Sequence, residues 1–194
     1  MNTIQSSKIE SHVKHLRSAW EKGEGVQPLT TLDPELTIDE AYFVQLHTIE
    51  ENVQNGEKIT GKKIGLTSKA MQDLLGVDEP DYGHLTDAME VENGGTISFK
   101  QVLQPKVEGE IAFILKEDLA GPNITPLDVL KATDVIVPAL EIVDSRVKDW
   151  KITLADTVAD NASSGLYLLG GNPKKITDVD IKHVGMALYK NEEL

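Results

Sequence analysis

The sequence predicts an α+β fold, with helices first and a mixed or mostly antiparallel sheet after them. Three observations predict it. Apolar residues recur with helical period up to residue 53, the texture becomes extended and glycine-punctuated after Gly56, and β-branched runs dominate from about residue 96.

Taken in order, residues 7–22 carry Ile9, Val13, Leu16 and Trp20 at i, i+4, i+7 and i+11, with Gly23 as a stop. "GEGVQPLTTLDPEL" reads as a loop. "TIDE" at Thr37–Glu40 is a capping-box signature, and Tyr42, Leu46, Ile49 and Val53 follow on one face until Gly56. "KITGKKIGLTS" is extended, "SKAMQDLLG" predicts a short helix with Ser68 as N-cap and Gly76 past its end, and "EPDYGHLTDAM" reads as loop. Strands are expected over 96–103, 107–116, 134–143, 164–169 and 181–190, with "TPLDVLKATD" as a helix between strands. The chain divides into a helical, lysine-bearing region over 1–78 and a sheet region over 79–194, together one catalytic unit. "HVGMALYKNEEL" looks like a strand entering a hairpin that would leave an unpaired sheet edge, so the natural protein is expected to continue past Leu194.

Composition narrows the function. With 194 residues, 40% hydrophobic and 26% charged, the chain fits an ordinary soluble globular protein with one sizeable core. Apolar runs such as "VIVPALEIV" are far short of a membrane span. No secretory signal is visible, and a cytoplasmic protein is expected. Cys is absent, which excludes disulfides, thiolate metal sites and Cys catalysis. A net charge of −13 disfavours nucleic acid and anionic membranes as partners, and means that an anionic substrate needs a local cation, either a metal or a buried Lys.

The chemistry starts in "KVEGEIAFILKED". Side chains alternate along a strand at about 3.3 Å per residue, so Glu108 and Glu110 share a face with Cβ atoms roughly 6–7 Å apart. Two readings stand: solvated carboxylates on an edge strand, or ligands of a cation that relieves their repulsion. Glu141, inside the β-branched run "VIVPALEIVDSR", is a third carboxylate in an apolar strand. Either it pairs with a Lys or Arg, or the three hold a hard divalent ion such as Mg²⁺ or Mn²⁺. In "GKKIG" Lys62 and Lys63 alternate faces, so one of them points inward if the segment is a strand; the alternative is two surface lysines. Asp81 of "PDYG" has the plain reading of a turn former. "ADNASSG" offers Asn161, Ser163 and Ser164 as donors for a substrate carboxylate, or is simply a polar loop. Of the five histidines only His12 and His15 have a ligand-like spacing, and both read as solvated on a helix. There is no Walker loop, no G-x-G-x-x-G and no G-x-S-x-G.

Taken together, "GKKIGLTSKAMQDLLGV", "PDYGHLTDAM", "QPKVEGEIAFIL", "PALEIVDSRVKDW" and "DTVADNASSGLYLLG" resemble the 2-hydroxypenta-2,4-dienoate hydratases. These are also called 2-keto-4-pentenoate hydratases, within the fumarylacetoacetate hydrolase superfamily. The resemblance runs over nearly the whole chain from about residue 28. It implies a mixed β-roll preceded by helices, and a Mg²⁺ or Mn²⁺ held by Glu108, Glu110 and Glu141. It further implies Lys63 and Asp81 as the acid/base pair and Ser163 against the substrate carboxylate. The substrate would be a 2-hydroxy-2,4-dienoate, hydrated to 4-hydroxy-2-oxopentanoate in meta-cleavage degradation of aromatic compounds by a homo-oligomer, a pentamer or decamer. The runner-up is a 4-oxalocrotonate decarboxylase, whose relatives share the metal triad but usually read G-L-K-M-G at the lysine. A non-catalytic subunit or inactive fragment is the reading from another class.

Overall fold

The computed structural model describes residues 3–194. In chain order the elements are α1 (Thr3–Lys22), α2 (Leu29–Leu32), α3 (Ile38–Gln54), β1 (Ile59–Gly65), α4 (Lys69–Leu75), β2 (Asp81–Thr86), β3 (Lys106–Leu115), α5 (Pro126–Ala132), β4 (Thr133–Val143), α6 (Leu154–Ala159) and β5 (Ser164–Leu169). The mixed α+β class is as the sequence predicts. Strands β1 and β2 pair antiparallel, and β3, β4 and β5 form a second sheet in that order. No helix among the described residues is long and apolar enough to cross a membrane.

The chain folds as two compact units. The first comprises Met1–Glu90, Ile97–Lys106 and Ile142–Leu166. Its core is helical: Ile9, Val13 and Leu16 of α1 pack with Ala41 and Val44 of α3 and Val158 of α6. Local chemistry sets the helix starts. Thr37 accepts from Glu40 N while the Glu40 carboxylate accepts from Thr37 N, the capping box expected there, and Ser68 and Gly76 cap α4 as expected. Two stripes are corrected. Trp20 is 44% exposed and lines a cavity instead of the core. On α3 the buried residues are Ala41, Val44, Gln45 and Ile49, while Leu46 and Val53 face outward. The face turns because Gln45 can be buried: its Nε2 donates to Tyr82 O at 3.0 Å and to Val158 O at 2.9 Å.

The same unit holds a buried ion pair. Arg146 gives Nε and its backbone N–H to the Asp160 carboxylate, Nη1 to Ser164 O at 2.7 Å and Nη2 to Asp160 O at 2.6 Å. It ties the segment after β4 to the end of α6 and the start of β5. Asp144 is buried as well, and accepts from Leu103 N and Gln104 N at 2.9 and 2.6 Å.

The second unit comprises Val91–Thr96, Val107–Glu141 and Tyr167–Leu194. Here α5, started by a Thr125–Asp128 capping box, returns the chain from β3 into β4. Two expected strands are absent. Over 96–103 a Ser98–Gln101 capping box makes a 3₁₀ turn instead, a local side-chain bond outcompeting a ladder. Over 181–190 there is no strand, since that segment finds no ladder partner beyond a single Lys190–Glu193 bridge among the described residues. In the other direction, "EPDYGHLTDAM" supplies β2 where a loop was expected.

Removing the guanidinium while leaving Asp160 buried should be severe. Arg146→Ala is expected to lower unfolding free energy by about 3–5 kcal/mol, as breaking a buried pair does. The check is the urea midpoint at unchanged m-value, and a loss under about 1 kcal/mol would place the pair in the weak class of surface bridges.

Candidate functional site

The register of β1 on β2 sets Lys63 opposite Gly83 and Gly65 opposite Asp81. Residues two apart share a face, so Lys63 and Asp81 lie on one face of this ribbon and Lys62 and Tyr82 on the other. Lys62 is exposed and holds its Nζ 4.4 Å from the Tyr82 ring centroid, that ring being stacked on Tyr42 at 4.6 Å. Lys63 is half-buried and donates from Nζ to Ala162 O at 2.8 Å.

Asp81 is buried in a strand, not exposed in a turn, and its Oδ2 has no hydrogen-bond partner among the described residues. Burial pushes its carboxyl above the usual range, while the nearby Lys63 charge pulls it back down. Gly65 makes room for it, because a Cβ there would lie 2.2 Å from Asp81 Oδ1.

The segment between α6 and β5 is bent sharply. Asn161, Ala162 and Ser163 all have φ of 53°, three consecutive left-handed residues without a glycine. The Asn161 side chain is spent on β2, with Oδ1 accepting from His84 N at 2.8 Å and Nδ2 donating to His84 O at 2.9 Å. Ser164 Oγ donates to Asn161 O at 2.6 Å. Ser163 Oγ is buried with no hydrogen-bond partner among the described residues. Of the three donors offered by "ADNASSG", only Ser163 thus keeps its side chain uncommitted. Gly83 is needed for this contact, since a Cβ at that position would meet Asn161 O at 2.5 Å.

His84 Nδ1 lies 3.0 Å from Gln45 Oε1. Both amide hydrogens of Gln45 go to carbonyls, so Oε1 is the acceptor and the imidazole carries its proton on Nδ1. Burial, then the Lys62 charge, push His84 down towards the neutral form. Sequence reading assigned no role to Gln45, His84 or the Arg146–Asp160 pair. Polar residues beside apolar runs were the only signal.

The second cluster lies wholly in the second unit. Glu108 and Glu110 of β3 and Glu141 of β4 each offer an oxygen, and these lie within 4.8 Å of one another. Glu108 and Glu110 are exposed while Glu141 is buried. The donor set fits a hard divalent cation: all oxygen, anionic, and spaced such that ligand distances of about 2.0–2.6 Å to one centre are reachable. Gly109 leaves room for Met186, since a Cβ there would come 2.6 Å from Met186 Sδ.

No family model matches the chain. It is 46% identical over 185 residues to a 2-hydroxyhexa-2,4-dienoate hydratase from Comamonas testosteroni, covering 94% of this chain and 70% of that one. It is 47% identical over 180 residues to a 2-hydroxypent-2,4-dienoate hydratase from Pseudomonas putida, covering 92% and 81%. Among solved structures it resembles the 4-oxalocrotonate decarboxylase from Pseudomonas putida G7 complexed with magnesium and adipate. There the TM-score is 0.86 at 34% identity, over 91% of this chain and 67% of that one. The same decarboxylase complexed with calcium and acetate gives 0.84 at 33%.

Asp81 carries a testable sign. A carboxyl whose pKa is raised by folding stabilises the fold fully below the unfolded value of 3.8, and that stability is lost as pH climbs through the folded value. At neutral pH the buried Asp81 carboxyl therefore costs stability, and Asp81→Asn should melt above the parent, by about 2–4 °C for each kcal/mol relieved. The gap should close once the pH drops below 3.8. An Asp81→Asn protein melting below its parent at neutral pH would contradict the burial argument.

Proposed function

The chain belongs to the 2-keto-4-pentenoate hydratase family, and from that premise we propose that it adds water to 2-hydroxypenta-2,4-dienoate, giving 4-hydroxy-2-oxopentanoate in the meta-cleavage breakdown of aromatic compounds. It is a hydro-lyase of that type. The observation that carries the reading is 46–47% identity to dienoate hydratases over more than nine-tenths of the chain.

Glu108, Glu110 and Glu141 would hold a divalent cation, Mg²⁺ or Mn²⁺, and the convergence of their oxygens supports this. When bound, such an ion supplies Lewis-acid polarisation of the substrate's carboxylate and C2 oxygens. The remaining work falls to side chains. Ketonising the dienol requires a proton at C5 and loss of the C2 hydroxyl proton, giving a 2-oxo-3-enoate. Water oxygen then adds at C4, losing a proton, and C3 gains one; the sum is one water added and no redox change. Lys63 and Asp81 are the proton carriers in this reading. Burial favours the neutral form of Asp81, which suits it to give up a proton and take one back. Ser163 Oγ, a buried donor with no hydrogen-bond partner among the described residues, would meet the substrate carboxylate. The same reading takes β3, β4 and β5 as part of a fumarylacetoacetate-hydrolase-like β-roll in a homo-oligomer.

A second reading, 4-oxalocrotonate decarboxylation, is favoured by the fold likeness to that enzyme. The 34% identity there against 46–47% to hydratases places it behind. The two part on product, since a decarboxylase releases CO₂ from a diacid and a hydratase loses diene absorbance without gas.

Incubation with 2-hydroxypentadienoate and Mg²⁺ should abolish the diene absorbance. Chelator should stop turnover and added Mg²⁺ or Mn²⁺ should restore it; turnover that survives exhaustive chelation would remove the carboxylate trio from the mechanism. Lys63→Ala should lower turnover by the 10²–10⁴-fold order typical of a general acid or base, with metal affinity little changed. Lys62→Ala gives up only an exposed cation–π contact of about 0.5–1 kcal/mol and should be mild. Equal, small losses in both variants would exclude Lys63.

A further inference from the structure

We propose that Asn161 is a positioning residue for Lys63, acting through the carbonyl of Ala162. The inference rests on Lys63 being a proton carrier, as above, and adds what fixes its position.

Three consecutive left-handed residues without glycine cost about 1–2 kcal/mol each relative to ordinary backbone, so something must hold them. Asn is among the few side chains that visit this conformation readily, which suits position 161; Ala162 and Ser163 have no such excuse. Asn161 grips β2 at two points, accepting from His84 N at 2.8 Å and donating to His84 O at 2.9 Å. This is the pattern one strand would make with another, supplied by a single amide. The next residue, Ala162, turns its carbonyl onto Lys63 Nζ at 2.8 Å. Lys63 in turn lies opposite Gly83, the neighbour of His84 in β2. The lysine and the carbonyl that receives it are thus both referenced to the same short stretch of β2, the first by the β ladder and the second by the Asn161 clamp. Without the clamp the ladder still places the lysine's backbone, while the turn keeps its ties to Arg146 and Asp144 but loses the two hydrogen bonds that refer it to β2. A wandering ammonium is a poor proton carrier, because a misplacement of about 1 Å can cost on the order of 10²-fold in rate.

The test uses Asn161→Gly. Glycine takes positive φ without strain, so this change removes both hydrogen bonds while leaving the backbone conformation cheap. Turnover, KM, Mg²⁺ affinity and thermal midpoint would be measured for the parent, Asn161→Gly, Lys63→Ala and the double variant. The expected result is a fall in kcat of roughly 10–100-fold for Asn161→Gly, with KM and Mg²⁺ affinity within about threefold and cooperative unfolding retained. In the Lys63→Ala background, assayed at high enzyme concentration, the same change should cost little more, because a residue that acts through Lys63 has nothing left to position. A merely structural role would multiply its loss in both backgrounds. Parent-like turnover in Asn161→Gly, a loss repeated in full on Lys63→Ala, or failure of Asn161→Gly to fold would each overturn the proposal. If Lys63→Ala itself turns over normally, the Lys63 assignment falls and this inference falls with it. A disabled Lys63→Ala beside a fully active Asn161→Gly overturns only the inference.

Discussion

A turn of three left-handed residues without glycine cannot stand by itself, and much of the first unit is arranged around holding it. Its N-terminal side is anchored by Asp160, whose carboxylate is locked to Arg146 and whose carbonyl receives Nη2. Its C-terminal side is anchored by Ser164, whose carbonyl takes Nη1 of the same guanidinium. One buried arginine therefore spans the turn from outside, with a planar fork suited to several acceptors at once. From the other side Asn161 grips β2, and Gln45 of α3 reaches β2 and α6 through Tyr82 O and Val158 O. Neutral His84 fits this frame. A charged imidazole would put a cation in a buried position near Lys62.

What this arrangement leaves over is as informative as what it uses. Asn161 and Ser164 spend their polar atoms within the fold, so neither is available to a ligand in this arrangement. Ser163 Oγ and Asp81 Oδ2 stay buried with no hydrogen-bond partner among the described residues, although burying a polar group unpaired costs about 1–3 kcal/mol. Folding alone gains nothing from either. Groups kept at a cost to stability are where a substrate-directed role is sought, and these two are ones to which the family resemblance assigns such a role.

The helices were legible because their signals are local. Capping boxes at Thr37 and Thr125 and the Ser68 cap need only a few consecutive residues, and the apolar period of α1 needs only its own sequence. Strand β2 was not legible, because Asp81 and Gly83 are strand-poor residues whose presence is explained only by partners distant in sequence: Gly65 across the ladder, and Asn161 beyond α6. The same holds for Gln45, to which the sequence assigned no role and which lies in the core because carbonyls from two other elements meet its amide. Over 96–103 the error ran the other way: apolar alternation suggested a strand, and a four-residue capping box prevailed. Of the site, the E-x-E pair and Glu141 were each visible as anomalies in apolar strands, and the trio that the sequence offered as one of two readings is brought together by the pairing of β3 with β4.

The carboxylate trio and the lysine–aspartate ribbon solve opposite electrostatic problems. Three glutamate oxygens within 4.8 Å repel one another, and two of the side chains reach solvent, so their natural complement is a dication that enters from water. Asp81 is a single buried carboxyl, and its complement is already in the chain: Lys63, on the same face of the ribbon. A metal in place of Lys63 would hold charge but carry no proton of its own. A lysine in place of the metal would balance one carboxylate of three and offer no open coordination position. Dienoate hydration needs both an electron-withdrawing centre and a proton carrier, and the proposed assignment puts the two on different strands with different chemistry. The decarboxylase of similar fold is complexed with magnesium, so a carboxylate trio alone does not choose between the reactions. The choice lies with where protons are delivered, and under the proposed assignment that means Lys63, Asp81 and the turn that receives the lysine.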